Sequence, residues 1–268
     1  MGVSISFKPL NIHVAKIVIG DEEKHQKSFS VVQESLDEEA IRMWNYQIKD
    51  DEIIVSWKNN SILRFKVLNF DETHIELLQY IDHNDRIYGL GEKYARLNRR
   101  FKRFHIWNID QPVHLPSGDP MYVSVPFYIV TNPRWSSGVF IDYSGYIYID
   151  TGIKYSDGIL LNVKSNSFRM YLIAGNNIYD ILKNYSELTG KPFMPPKWAI
   201  GYHQSRYSYM SQDEVLDVAN EFRKRGIPCD AIYLDIHYMD GFKIFTWDPK
   251  NFPLPEKMIN ALHSINMR

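Results

Sequence analysis

Two short stretches near the carboxyl end concentrate groups able to do chemistry: Ser205-Arg-Tyr207, and Leu234-Asp235-Ile236-His237-Tyr-Met-Asp240. Each follows an apolar run, so polar side chains emerge where a strand would surface. Asp235, His237 and Asp240 could be drawn as metal ligands. Alternate residues at a strand exit converge only partly, however, and no helical His-x-x-x-His pair supports them, so a structural or solvent-facing His237 is expected. Gly89-Leu-Gly91 suggests a phosphate loop, but Tyr94 stands where the dinucleotide fingerprint needs its third glycine, and no Gly-Lys-Ser/Thr follows. A Ser-His-Asp hydrolase would want a Gly-x-Ser-x-Gly elbow, which does not occur. What remains is a carboxylate and an aromatic ring at strand ends, with no metal site and no cofactor expected.

The elements that must position them alternate. The segment from Trp198 reads as a buried strand that leaves through Ser205-Arg-Tyr207. Ser211 and Glu214 then form a capping box, Val215, Val218, Ala219 and Phe222 recur on one helical face, and Gly226 stands where the helix would end. Ala231-Ile-Tyr-Leu234 is the kind of short apolar run that makes an interior parallel strand, and it delivers Asp235. Phe245-Thr-Trp-Asp-Pro and Phe252-Pro-Leu-Pro read as loop. There Phe245 and Trp247 would either shape a pocket or simply pack, with packing preferred. Glu256 to Ile265 forms a second helix. Strand, helix, strand, helix is how (β/α) barrels and doubly wound sheets begin, and both place ligand groups at the carboxyl ends of strands. A closed eight-stranded barrel needs ~250 residues, so a barrel begun here is expected to be truncated after two βα units.

The earlier sequence has another rhythm. Alternating or aromatic runs at Ile53–Trp57, Ile62–Val67, His74–Tyr80, Met121–Val130, Gly138–Asp142, Gly145–Asp150, Ile159–Val163 and Phe168–Ile173 predict an antiparallel sandwich. A helix from the Asn177 cap to Gly190 closes it. The prolines of Lys191-Pro-Phe-Met-Pro-Pro196 can neither continue a helix nor sit in a central strand. The expected domains are a sandwich at 1–190, a linker at 191–196 and the barrel start at 197–268.

Composition sets the class. The chain has 268 residues, 44% hydrophobic and 14% aromatic, enough to bury a substantial core. Thirty-one basic and 32 acidic residues give a net charge of −1, which points to neither nucleic acid nor an anionic membrane as a partner. The basic stretch Arg96–Arg103 is expected to be a solvated face or loop. Cys229 is the only cysteine, so no disulfide can form within the chain. No export signal or long apolar span is visible, and a cytoplasmic setting is the expectation.

Five motifs occur in order: Tyr88-Gly-Leu-Gly-Glu-Lys93, Asp119-Pro-Met-Tyr-Val-Ser-Val-Pro126, Leu188-Thr-Gly-Lys-Pro-Phe-Met-Pro-Pro-Lys-Trp-Ala-Ile-Gly201, Ser205-Arg-Tyr-Ser-Tyr209 and Leu234-Asp-Ile-His-Tyr-Met-Asp240. Together they resemble family 31 glycoside hydrolases, above all microbial α-glucosidases. The resemblance implies a β-sandwich followed by a (β/α)8 barrel, retaining hydrolysis of terminal α-glycosidic bonds, and no cofactor. Such retention needs two carboxyl groups about 5 Å apart, one a nucleophile and one an acid/base. In the family both come from later barrel strands. The nucleophile's Trp-x-Asp-Met-Asn-Glu-like motif is absent from these residues. No catalytic residue is therefore assigned, and the chain by itself is expected to be an inactive fragment.

The resemblance does assign sugar-binding residues. Asp235 matches the aspartate at the end of the second barrel strand that bonds a sugar hydroxyl, and Ile236 its apolar neighbour. Tyr207 matches an aromatic lining the same pocket. Asp110, in Trp107-Asn-Ile-Asp-Gln-Pro112, matches an aspartate on a sandwich loop that reaches the substrate; by its local sequence alone, turn formation and substrate contact stand equal. The expected partners are an α-glucoside or other α-glycoside and a second chain carrying the remaining barrel. The substrate is open between α-glucosides, α-xylosides and related glycosides. Without its remaining units the barrel start would leave strand edges and apolar helix faces uncovered, hence poorly ordered or seeking a partner. A non-catalytic carbohydrate-binding or assembly module is the other role considered, and a decayed gene product a third.

Overall fold

The computed structural model describes residues 4–21, 28–32, 34, 37–49, 51–116 and 118–268. They fall into two compact units, one running to Pro192 and the other Phe193–Arg268.

In the first unit the strands in chain order are β1 (Ile5–Pro9), β2 (Val14–Ile19), β3 (Trp44–Lys49), β4 (Glu52–Trp57), β5 (Asn60–Phe70), β6 (Ile75–Tyr80), β7 (Arg86–Gly91), β8 (Arg103–Ile106), β9 (Ser124–Thr131), β10 (Ser136–Asp142), β11 (Ile147–Asp150), β12 (Gly158–Val163) and β13 (Phe168–Gly175). A single helical turn, α1 (Ala40–Met43), leads into β3, and α2 (Ile178–Thr189) follows β13. The strands make a six-stranded sheet in the order β1-β2-β13-β10-β9-β7 and a seven-stranded sheet in the order β3-β4-β5-β6-β12-β11-β8. All their pairings are antiparallel.

The period of two in the sequence explains the layers. Ile53, Val55 and Trp57 of β4 and Ile159, Leu161 and Val163 of β12 point to one side. They share a core with Ile17 and Ile19 of β2 and with Met170 and Leu172 of β13, from the other sheet. The intervening residues Phe140, Tyr171 and Ile173 face outward and are covered by α2 through Ile181 and Leu188. Asn177 caps this helix by accepting from the Asp180 N–H at 3.1 Å, and Tyr185 stacks on Phe127 at 4.0 Å.

One sequence expectation changes here and another is refined. The run from Met121 joins the sheet only at Ser124, because Met121 makes an isolated bridge to Asn108 instead. The basic stretch is a loop as expected, with Arg96, Lys102 and Arg103 exposed, but two of its guanidiniums are tied to backbone. Arg99 donates to the carbonyls of Gly89, Ala95 and Arg96 at 3.1, 3.1 and 3.2 Å, and Arg100 to those of Asp82, Asp85 and Ser156. A guanidinium has five fixed donors and no acceptor, so it is suited to gathering loop carbonyls that no ladder satisfies. Gly89, Leu90 and Gly91 all adopt positive φ, at 106°, 71° and 82°, where β7 slips register against β9. The glycines serve a bulge, not a phosphate.

The second unit enters through a 3-10 turn at Lys197–Ile200 and continues as β14 (His203–Gln204), α3 (Gln212–Lys224), β15 (Ala231–Ile232) and α4 (Pro255–Ser264). β14 and β15 run parallel with His203 opposite Ala231 and Gln204 opposite Ile232. The backbone of Arg268 bonds to Asp230 and Ile232 along the other side of β15. Val215 and Ala219 of α3 and Met258 and Leu262 of α4 close over Cys229, Ile232 and Phe252. Arg223 ties the helices, donating to the carbonyls of Cys229 and Ile265 at 2.8 Å each.

The expected buried strand from Trp198 is corrected. Pro196, with φ fixed near −63°, starts the 3-10 turn instead, and Ile200 is 73% exposed. Ladder partners come only from β15 and its flanks, so pairing begins at Tyr202, whose carbonyl accepts from the Asp230 N–H. Tyr202, Ile227, Ile244 and Ile259 lie exposed, and of these only Ile259 belongs to a helix.

Candidate functional site

Parallel pairing sets the geometry. Gln204 lies opposite Ile232, and three residues further along each chain come Tyr207 and Asp235, at equivalent places beyond the carboxyl ends of adjacent strands. Ile236 and His237 follow directly. Asp235 has φ +64°, a left-handed conformation that aspartate tolerates better than most residues. Its side chain is exposed, and its carboxylate has no hydrogen-bond or ion-pair partner among the described residues of its unit. Tyr207 is 79% exposed and meets His237 edge to face at 5.7 Å. Ile236 is half-buried beside them. The structure thus brings together three of the four expected residues.

Local ties hold Tyr207 in place. Arg206 donates to the Ser208 carbonyl at 3.0 Å, pairs with Glu214, and lies over the Tyr209 ring at 4.4 Å. The Ser211 hydroxyl accepts from the Glu214 N–H at 3.2 Å, as a capping box requires. The return bond differs: Glu214 accepts from Met210 rather than from Ser211, at 2.7 Å. That bond, with the Arg206 guanidinium, holds the Glu214 carboxyl below its ordinary value. The turn between β14 and α3 is therefore clamped from both ends.

Asp110 belongs to the first unit, on the excursion between β8 and β9, and is exposed. The Tyr122 hydroxyl donates to the carbonyl of its neighbour Gln111 at 2.7 Å. Burial first, and then the Asp110 carboxylate, push the Tyr122 phenol above its usual value. Asp110 lies in a turn-rich stretch.

His237, read from sequence as structural or solvent-facing, is structural. Its ring lies edge-on between Tyr207 and Phe242, and its Nδ1 is buried without a hydrogen-bond partner among the described residues. Trp247 packs against Tyr238 at 5.1 Å, as expected, whereas Phe245 is 98% exposed with φ +64° and packs on nothing. Such a bulky residue in a left-handed conformation is the sort of local strain found around ligand sites. No cluster of three His, Cys, Asp or Glu side chains able to hold a metal occurs among the described residues. Sequence reasoning missed Lys93, a buried lysine whose ammonium meets Asp119 at 2.6 Å. Only its position just after the glycine bulge hints that it is not a surface residue.

A two-sheet antiparallel sandwich is followed by parallel βα units, with an acid and an aromatic ring at equivalent strand exits, where barrels and doubly wound sheets gather ligand groups. Residues 5–150 match the glycosyl hydrolase 31 N-terminal galactose mutarotase-like domain, and residues 192–268 the glycosyl hydrolases family 31 TIM-barrel domain. The chain belongs to glycosyl hydrolase family 31. It is 40% identical over 188 residues to an alpha-glucosidase of Saccharolobus solfataricus, a match covering 70% of this chain and 27% of that protein. It is 38% identical over 189 residues to alpha-glucosidase 2 of Bacillus thermoamyloliquefaciens, covering 70% and 24%. The chain thus spans about a quarter of the length of these relatives. Among solved structures, a family 31 dextranase of Flavobacterium johnsoniae complexed with glucose is similar over all of this chain and 37% of its own, at 27% identity and a TM-score of 0.82. The glucosidase II alpha subunit, at 17% identity and a TM-score of 0.83, shares the fold.

Proposed function

We propose that this chain supplies the sandwich and the start of the barrel of a retaining α-glycosidase acting on terminal α-glucosidic bonds, and that it binds sugar without cleaving it unaided. The observation that carries this is the placement of Tyr207 and Asp235 at matched exits of paired parallel strands, with the Asp235 carboxylate free to accept hydroxyl hydrogens. A carboxylate can take two such hydrogens and so fix a ring's orientation, while the tyrosine face covers its C–H side. Ile236 supplies the apolar flank, and Asp110, on the sandwich unit, is proposed separately as a sugar contact.

Hydrolysis needs more than binding. Without a nucleophile there is no glycosyl-enzyme intermediate, and without an acid the leaving oxygen departs unprotonated. Both carboxylates would come from a further stretch of polypeptide completing the barrel, either continuous with these residues or on a second chain. Relatives named alpha-glucosidase support a glucoside as substrate.

Release of p-nitrophenol from p-nitrophenyl α-D-glucoside tests this, using the 268-residue chain with and without a polypeptide supplying the remaining barrel. Activity only on complementation is expected. Activity of the chain alone would overturn the assignment of catalysis elsewhere. Silence in both, with sugar affinity surviving deletion of residues 197–268, would favour a carbohydrate-binding module.

A further inference from the structure

The excursion between β8 and β9 is tied at its base by one buried cation. Lys93 has a side chain only 1% exposed, and its ammonium donates to the His105 carbonyl at 2.7 Å, to Asp119 Oδ1 at 2.6 Å and to Ser124 Oγ at 3.2 Å. These acceptors lie on the outgoing strand, within the excursion, and on the returning strand. Asp119 closes the ring by accepting from the His105 N–H through Oδ2. Ser124 also donates its own N–H to Asn108 Oδ1 at 2.8 Å, and the Ile109 N–H reaches the Met121 carbonyl at 3.1 Å. Beyond this base the loop braces itself, with His114 against the rings of Tyr94 and Tyr122. The Tyr122 hydroxyl donates to the Gln111 carbonyl at 2.7 Å, next to Asp110.

A buried ion pair is a poor device for stability alone, since its desolvation offsets most of the Coulomb gain and an apolar pair of similar volume does as well. It is a good device for selecting one geometry, because its charge-assisted bonds are directional and costly to leave unmade. Every bond of this pair goes to a residue that fixes where the 107–123 arm leaves and rejoins the sheet.

We propose that Lys93 and Asp119 are positioning residues: their buried pair fixes the 107–123 arm, and through it the Asp110 carboxylate, before any glycoside arrives. This rests on the reading of Asp110 as a sugar contact, but its test needs no sugar. Amide hydrogen exchange of the 268-residue chain is compared with Lys93→Met, Asp119→Asn and the double variant Lys93→Met/Asp119→Leu. Peptides across 105–124 should exchange at least ~10-fold faster in all three. In the double variant, where no charge is left buried alone, β10 and β13 should keep their protection.

Wild-type exchange over 105–124 in the double variant would overturn the proposal. So would parallel loss of protection in β10 and β13, which would make the pair a support of the sandwich. Should Lys93→Met fail to fold, Asp119→Asn and the double variant decide. The sugar reading fails separately, if Asp110→Asn leaves hydrolysis by the complemented enzyme unchanged.

Discussion

Gly91→Ala should destabilise the sandwich far more than the loss of a glycine ordinarily does. Gly91 has φ +82°, and a Cβ there would lie 2.7 Å from the Val123 carbonyl oxygen and 2.8 Å from the Val125 nitrogen. Left-handed backbone costs a residue with a Cβ about 1–2 kcal/mol. The contacts add to this, because both offending atoms are backbone at the start of the partner strand and cannot rotate away. Reaching ordinary contact at 3.4 Å would push the strands apart by about 0.7 Å. An overpacked site of that kind costs about 1–3 kcal/mol, so the total is about 2–5 kcal/mol. At about 2–4 °C per kcal/mol for a unit of this size, the sandwich's melting temperature should fall by about 4–20 °C in a circular dichroism melt. Gly226→Ala is the comparison. It has φ +66° but nothing within 4 Å of its Cβ, so only the conformational cost of about 1–2 kcal/mol should appear, in the transition of the second unit. If Gly91→Ala melts within about 2 °C of the parent, the bulge between β7 and β9 does not need the glycine, and the steric reasoning is wrong.

Three further outcomes are expected. Asp235→Asn should lower kcat/KM of the complemented enzyme on p-nitrophenyl α-D-glucoside roughly 10- to 150-fold, the equivalent of about 1.5–3 kcal/mol for bonds to a charged acceptor, with no change in melting temperature. Because the Glu214 carboxyl is held low in the folded chain by the Met210 N–H and Arg206, its stabilisation is present above the ordinary unfolded value of about 4.3 and is lost as pH falls through the depressed folded value. Second-unit melts should therefore lose stability below about pH 4.5 in the parent, and Glu214→Gln should flatten that dependence; an equally steep loss in the variant would assign it to other groups. Cys229 is buried and burial pushes its thiol up, so a disulfide-exchange reagent should react with it only as fast as the second unit opens. Rapid labelling in the native chain would mean that the α3–α4 core is not closed over it.

Much of the fold was legible because burial on one side of a sheet enforces a period of two. β4, β6, β10, β12 and β13 stand near their expected places, and the α2 and α3 caps lie at Asn177 and Ser211. The strands not foreseen lack that signature. Lys16 interrupts β2, β3 buries only Trp44, and β7 carries the glycines of its own bulge, so each exists through its neighbours' hydrogen bonds rather than its own pattern. Ladder pairing also decided β14, because a strand of two residues cannot announce itself. At the site, the sequence by itself determined that Tyr207, Asp235 and Ile236 follow apolar runs, since covalent order fixes which side chains leave a strand's end. Only the tertiary structure decided that Gln204 lies opposite Ile232, which makes those exits neighbours. It alone, too, turned His237 between two rings and buried Lys93 beneath the Asp110 arm. Register and long-range charge pairing join residues far apart in the chain, and no local pattern carries that information.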